Sequence, residues 1–195
     1  MKDAAMPVPA ADLLTLTAGA LTATVAPRAG GSLASFAACG QAMMREAPDA
    51  GSTDPLTMAC YPLLPFVGRI AYGHFNFEGR EVRLPPHPIA TPHALHGLGW
   101  QRAWDIAEVT PAQVRLTLAH KADPAGWPWG FEAEQVFTLD ETSLTIRMAI
   151  TNRAGAPMPT GVGLHPFFPD PLTARTVLDL PEASSKSSSR DLDEI

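Results

Sequence analysis

Apolar and polar residues alternate along much of the chain with a period of two. Within 143–151, Leu144, Ile146, Met148 and Ile150 fall on one side, and Thr145, Arg147, Ala149 and Thr151 on the other. Successive side chains of an extended strand point to opposite faces, so this pattern predicts a strand with one buried face. Val114, Leu116 and Leu118, divided by Arg115 and Thr117, repeat it. Turn residues separate such runs at short intervals. Ala18-Gly19 lies between 14–16 and 21–25, Glu78-Gly79 between 74–77 and 81–84, and Asp140-Glu141-Thr142 between 131–139 and the strand beginning at Ser143. Short strands with turn signals roughly every ten residues predict an all-β fold, an antiparallel sandwich or barrel. The 20 prolines and 15 glycines are scattered through the chain. Each proline lacks an amide hydrogen and fixes φ, so no long helix competes with this reading.

Composition narrows the function classes. Hydrophobic residues make up 46% of the 195 and charged residues 17%, enough apolar surface for a real core. The formal net charge is -6, and no run of Lys or Arg occurs. A nucleic-acid surface needs clustered cations to displace counterions, and a polybasic membrane patch needs the same, so neither partner is expected. Residues 1–13 lack an apolar stretch of signal-sequence length, and threonines interrupt the apolar part of 13–27. No membrane span is expected, and the location read from this is cytoplasmic. Cys39 and Cys60 lack metal-ligand spacing and are expected to be buried or half-buried free thiols.

No internal repeat occurs, and composition changes only near residue 180. Ser184, Ser185, Lys186 and Ser187–Ser189 begin a polar tract that carries too little apolar area to offset the entropy of ordering it. One domain over 1–180 and a disordered tail over 181–195 are expected. The last strand candidate, 176–180, has no visible C-terminal neighbour, so an open sheet edge and self-association through it are expected.

Three segments are unlike ordinary strand or turn sequence. In the first, Pro65 to Ile70, Arg69 follows Gly68 between apolar residues. Its guanidinium either reaches from a strand end into a pocket, where five donors could hold neighbouring hydroxyls, or serves as a surface or ion-paired arginine. In the second, His93 and His96 stand three apart before Gly97, Gly99 and Trp100, with Arg102 and Trp104 beyond. No third ligand stands at matching spacing, so a metal is not expected. The glycines beside His96 let backbone and ligand approach closely; the alternative is a structural loop histidine. In the third, Pro159 to Phe168, His165 follows an apolar strand and precedes a proline that ends it. An imidazole there is either a proton donor to a substrate oxygen or a core histidine capping the sheet. Trp127-Pro128-Trp129 is either an aromatic face for a sugar or a strand entry packed into the core. His74, His87 and His120 lie in polar or turn-like sequence and take no role. No nucleophile elbow, phosphate-cradling loop or cysteine nucleophile is present.

In order and separation these segments resemble the aldose 1-epimerase (galactose mutarotase) family, especially its bacterial branch. Gly68-Arg69-Ile70 leading into a glycine-bearing hairpin, Leu95-His96-Gly97 with Trp104 downstream, and Pro159 to Phe168 each match a family motif, and the resemblance spans 13–180. It implies a large antiparallel β-sandwich that interconverts the α and β anomers of a monosaccharide, an aldohexose such as glucose or galactose, without metal or organic cofactor. By motif, His165 corresponds to the general acid at the ring oxygen, His96 to the second catalytic histidine that also binds sugar, and Arg69 to the arginine on ring hydroxyls. The family's general base is a glutamate beyond the His-Pro motif, and nothing in 181–195 resembles its segment. The resemblance therefore implies a C-terminally truncated fold with impaired turnover. The alternative is a non-catalytic sugar-binding or sensing module. A sugar-phosphate epimerase would need clustered cations near the cleft, where only Arg69 and Arg102 are available.

Overall fold

The computed structural model describes residues 13–48 and 52–169. It opens with a hairpin of β1 (Leu14–Ala18) and β2 (Leu21–Ala26), in register from Leu14↔Val25 to Ala18↔Leu21. Then come β3 (Ser32–Ala38), the two-residue β4 (Gln41–Ala42) and β5 (Cys60–Leu63). A cluster of short pairings follows: β6 (Arg69–Ile70), β7 (His74–Phe77), β8 (Arg80–Arg83) and β9 (Ala94–Leu95). A meander of β10 (Asp105–Val109), β11 (Gln113–His120), β12 (Phe131–Leu139) and β13 (Leu144–Asn152) comes next, and β14 (Gly163–Pro166) closes the described chain. The only helices among the described residues are 3-10 turns of three residues each, so none is long enough to cross a membrane.

Two antiparallel sheets face each other. One has the order β1-β2-β3-β5-β14, with β4 paired to β3; the other is β10-β11-β12-β13. β1 and β2 lie against β11 and β12, and the alternation of the strands supplies the filling. Leu16, Ala23, Val25 and Leu33 of the first sheet meet Val114, Leu116, Phe131 and Phe137 of the second, all essentially shielded from water. Burying each larger side chain contributes about 1.5–3 kcal/mol, so this interface dominates stability. Gln135, fully buried on β12, donates from Nε2 to the Gly31 carbonyl at 3.1 Å and ties the sheets together.

The sandwich is the architecture that the period-two pattern predicts, with three differences. The inward residues of β13 (Leu144, Ile146, Met148 and Ile150) are half-buried rather than buried, because β13 is the outermost strand of its sheet and little described chain covers that face. Cys60 is buried as expected, but Cys39 sits exposed in the turn after β3 with φ 52°. His165 lies within a strand and not after one, because the extended segment is Gly163–Pro166 itself. The edge expected at 176–180 and the tail over 181–195 lie outside the described residues.

Candidate active site

The loop that carries His96 is fastened to the strand end that carries Arg69. β6 and β9 pair through Arg69↔Leu95 and Ile70↔Ala94, which sets Gly68 beside His96. The two residues clasp each other: the His96 amide donates to the Gly68 carbonyl at 2.9 Å, and the Gly68 amide donates to His96 Nδ1 at 3.1 Å. Nδ1 is thereby an acceptor, so the neutral ring carries its proton on Nε2. His96 holds φ 55°, an uncommon conformation for a residue with a side chain, and the clasp stabilises it. Gly97 follows with φ 72°, and a Cβ there would meet the Leu64 carbonyl oxygen at 2.1 Å. That oxygen accepts from Leu98 and Gly99 at 2.9 and 3.0 Å, so neither side of the contact can yield. The glycine after His96 is required for the loop to pass this close to β5.

His165 reaches the same place from β14, opposite Tyr61 of β5. The two imidazole centroids lie 5.6 Å apart at 79°. Tyr61 and Phe167 contact the His165 ring at 4.8 and 4.7 Å, with planes within 20° and 25° of it. Trp100 stacks on Tyr61 at 5.2 Å, and His87 lies against Trp100 at 5.1 Å. Burial lowers the pKa of His96 first; the positive charges of His165, Arg69 and His87 lower it further. The charges acting on His96 are thus all cationic, and the neutral ring with a donor on Nε2 is favoured. Beneath, burial pushes the Cys60 thiol up to about 12, against a hydrogen bond from the His165 amide, so Cys60 stays a protonated core thiol.

The structure therefore brings His96, His165 and the end of β6 that bears Arg69 together from segments almost a hundred residues apart. Arg69 is exposed, and its charge acts on His96. His93 is engaged elsewhere: its Nδ1 accepts from the Tyr72 amide at 3.0 Å, and no metal-holding cluster occurs among the described residues. Trp127 and Trp129 are buried against Phe66, Phe75 and Phe77, which makes that segment a strand entry in the core. His120, which turn-like sequence gave no role, is buried at the end of β11. Its Nδ1 faces Arg102 Nη1 at 3.1 Å and its Nε2 faces the Trp127 carbonyl at 2.9 Å. A guanidinium only donates, so Nδ1 accepts and Nε2 carries the proton; His120 and Arg102 serve the core's edge. Sequence reasoning missed Tyr61, Phe167 and Arg45, whose roles depend on cross-strand register, and His87, whose field reaches His96. A pocket of about 270 Å³ is lined by Phe66, Leu95, Gly97, Arg102 and Trp127 and includes none of the three predicted residues.

The two-sheet antiparallel sandwich matches the galactose mutarotase-like β-sandwich fold. The chain belongs to the aldose 1-epimerase family, whose profile matches residues 12–179. It is similar to the Escherichia coli K12 protein YphB, itself uncharacterised, with 30% identity over 158 residues that cover 80% of this chain and 52% of that one. Uncharacterised YihR of the same organism is 34% identical over 121 residues, covering 62% of this chain and 39% of its own. Among solved structures, an E. coli K12 protein provisionally named an aldose 1-epimerase superposes with TM-score 0.74 at 29% identity, covering 80% of this chain and 52% of that one. A galactose mutarotase related enzyme from Lactobacillus acidophilus shares the fold, with TM-score 0.66 at 19% identity over 83% of this chain and 50% of its own. The chain thus spans about half the length, or less, of the curated relatives it matches.

Proposed function

We propose that this chain binds the ring of a monosaccharide, an aldohexose such as glucose or galactose, between Arg69, His96 and His165, and that the site performs the proton transfers of an aldose 1-epimerase. The observation that carries this reading is the pair of imidazoles held 5.6 Å apart, one of them clasped to the residue next to Arg69. Arg69 holds ring hydroxyls, and His96 donates from Nε2 to a sugar oxygen. His165 gives a proton to the ring oxygen as the C1–O5 bond breaks, while a base takes the proton of the anomeric hydroxyl. The open-chain aldehyde rotates about C1–C2. O5 then attacks the other face of C1 and returns its proton to His165, and the former hydroxyl oxygen regains one from the base.

A second reading, sugar binding without turnover, is favoured by the same site. The charged groups acting on His96 are His165, Arg69 and His87, and no carboxylate stands among them. General base catalysis is typically worth about 10²- to 10⁴-fold, so its loss separates an enzyme from a binding module. Polarimetry on freshly dissolved α-glucose and α-galactose, beside a calorimetric sugar titration, distinguishes the two. If turnover is found, His165→Asn lowers kcat by about 10²-fold or more, while His96→Asn impairs kcat and KM together. Small and equal effects of both substitutions would remove these residues from the proton path. Absence of both binding and turnover would remove the site altogether.

A further inference from the structure

The imidazole of His165 is oriented in an unusual way. A catalytic histidine commonly has one ring nitrogen fixed by a hydrogen bond to a carboxylate or carbonyl, which sets its plane and its tautomer. His165 Nδ1 is buried with no hydrogen-bond partner among the described residues. Two aromatic rings pack against a face of the imidazole instead. Tyr61 and Phe167 each lie nearly parallel to the imidazole, 4.8 and 4.7 Å away. Their own centroids are 5.9 Å apart. Rings stacked on opposite faces of an imidazole would stand about 7 Å apart or more, because each layer needs about 3.5 Å. At 5.9 Å both rings lie under the same face, tilted 44° to one another as the two sides of a shallow V-shaped floor. The geometry also leaves the opposite face clear of both.

That floor is braced at each end. Trp100, itself buried, stacks on Tyr61 at 24°. The Arg45 guanidinium lies 3.8 Å over the Phe167 ring and is anchored by Nη2 to the Leu56 carbonyl at 2.7 Å and to the Met58 carbonyl. The main chain of Phe167 is pinned as well, donating to Ala59 at 2.8 Å and accepting from the Arg45 amide at 2.9 Å. Tyr61 is thus backed by a buried indole, and Phe167 by a half-buried, hydrogen-bonded guanidinium.

We propose that Tyr61 and Phe167 are positioning residues: a braced pair of rings that sets the plane of the His165 imidazole and aims the nitrogen other than Nδ1 at the ligand. This rests on the reading of His165 as the proton donor. Stacking fixes the plane of the ring, and with it the direction in which the nitrogen other than Nδ1 gives up its proton and takes it back.

The test uses the 195-residue chain with isotope-labelled histidine. In the unmodified protein the His165 carbon-bound ring protons resonate upfield of those of an unstructured histidine, shifted by the two ring currents. Phe167→Leu, which keeps bulk at a half-buried position, removes much of that shift and broadens the signals, while the His96 signals stay in place. Tyr61→Phe retains the shift. Tyr61→Leu, if it folds, loses it. Where galactose turnover is measurable, Phe167→Leu lowers kcat by at least about tenfold with KM within about twofold, since a misaimed donor costs the transition state more than the ground state. His165 signals at ordinary positions in the unmodified protein, unchanged by Phe167→Leu, would overturn the floor, and so would an unchanged kcat. If the unmodified chain neither binds nor turns over galactose, the proposed function fails, and the ring signals still decide the orientation of His165.

Discussion

The loop bearing His96 and the strand bearing His165 meet 5.6 Å apart, but different forces hold them. Around His96 the bonds are directional: Gly68 donates to Nδ1, and the Leu64 carbonyl accepts from Leu98 and Gly99. Around His165 the bonds to the main chain stop at the ring, and contact with Tyr61 and Phe167 takes over. Hydrogen bonding fixes a nitrogen, and with it a tautomer; stacking fixes a plane. The first sets which nitrogen of His96 donates; the second sets the direction in which His165 faces.

Gly97→Ala should be the most damaging way to break this arrangement. A Cβ at 2.1 Å from the Leu64 oxygen must displace a carbonyl that already accepts two hydrogen bonds, at a backbone φ of 72°. Left-handed strain and overpacking together predict a loss of about 3 kcal/mol or more, read as a lower urea midpoint or failure to fold. A milder result, with His96 displaced and the His165 signals intact, would show that the two holdings are independent. A variant as stable as the parent would mean that the loop is not held as described.

Arg45→Met tests the other side with a smaller expected effect. The substitution removes two hydrogen bonds to carbonyls and the contact over Phe167, worth about 1–3 kcal/mol together. Against this, Arg45 Nε is buried without a partner among the described residues, and its removal relieves that cost. A net loss of about 1–2 kcal/mol is expected in denaturant titration, with partial loss of the His165 upfield shift. An unchanged shift would mean that Phe167 holds its place without the guanidinium.

These two holdings also show what a sequence can reveal. The strand alternation of β11 and β13 and the turns at Gly19, Gly79 and Asp140 were legible, because side-chain period and turn chemistry are local. His96 and His165 stood out through their glycine and proline neighbours, and the family resemblance paired them. Tyr61 did not stand out. Cys60-Tyr61-Pro62-Leu63 reads as an ordinary apolar strand, and its meaning arises only from the register that sets Tyr61 opposite His165. Arg45 is equally silent, since its carbonyl partners lie 11 and 13 residues away in an irregular segment. The half-exposure of β13 was illegible for a related reason: alternation says which residues share a face, while burial depends on what lies over that face.

The subtlest prediction concerns the titration of His96, and it distinguishes the two holdings by charge. Burial is the first cause of its lowered pKa, followed by His165, Arg69 and His87 in that order. The folded state therefore binds fewer protons than the unfolded state between the His96 value and the ordinary 6.5. Stability rises with pH wherever the unfolded state binds more protons. The contribution of this group is accordingly undiminished above pH 6.5 and declines as pH falls through 6.5 toward the folded value. Protonation also puts a hydrogen on Nδ1 facing the Gly68 amide, so the clasp is lost with the charge. Histidine resonances followed from pH 8 to 4.5 should place the His96 midpoint below 6.5. His165→Asn should raise the midpoint most, Arg69→Gln less and His87→Asn least. None should restore 6.5 in full, because burial remains. A His96 midpoint at or above 6.5 in the unmodified protein would contradict the neutral, clasped ring. An unchanged midpoint in His165→Asn would mean that the two imidazoles, though close, do not share a field.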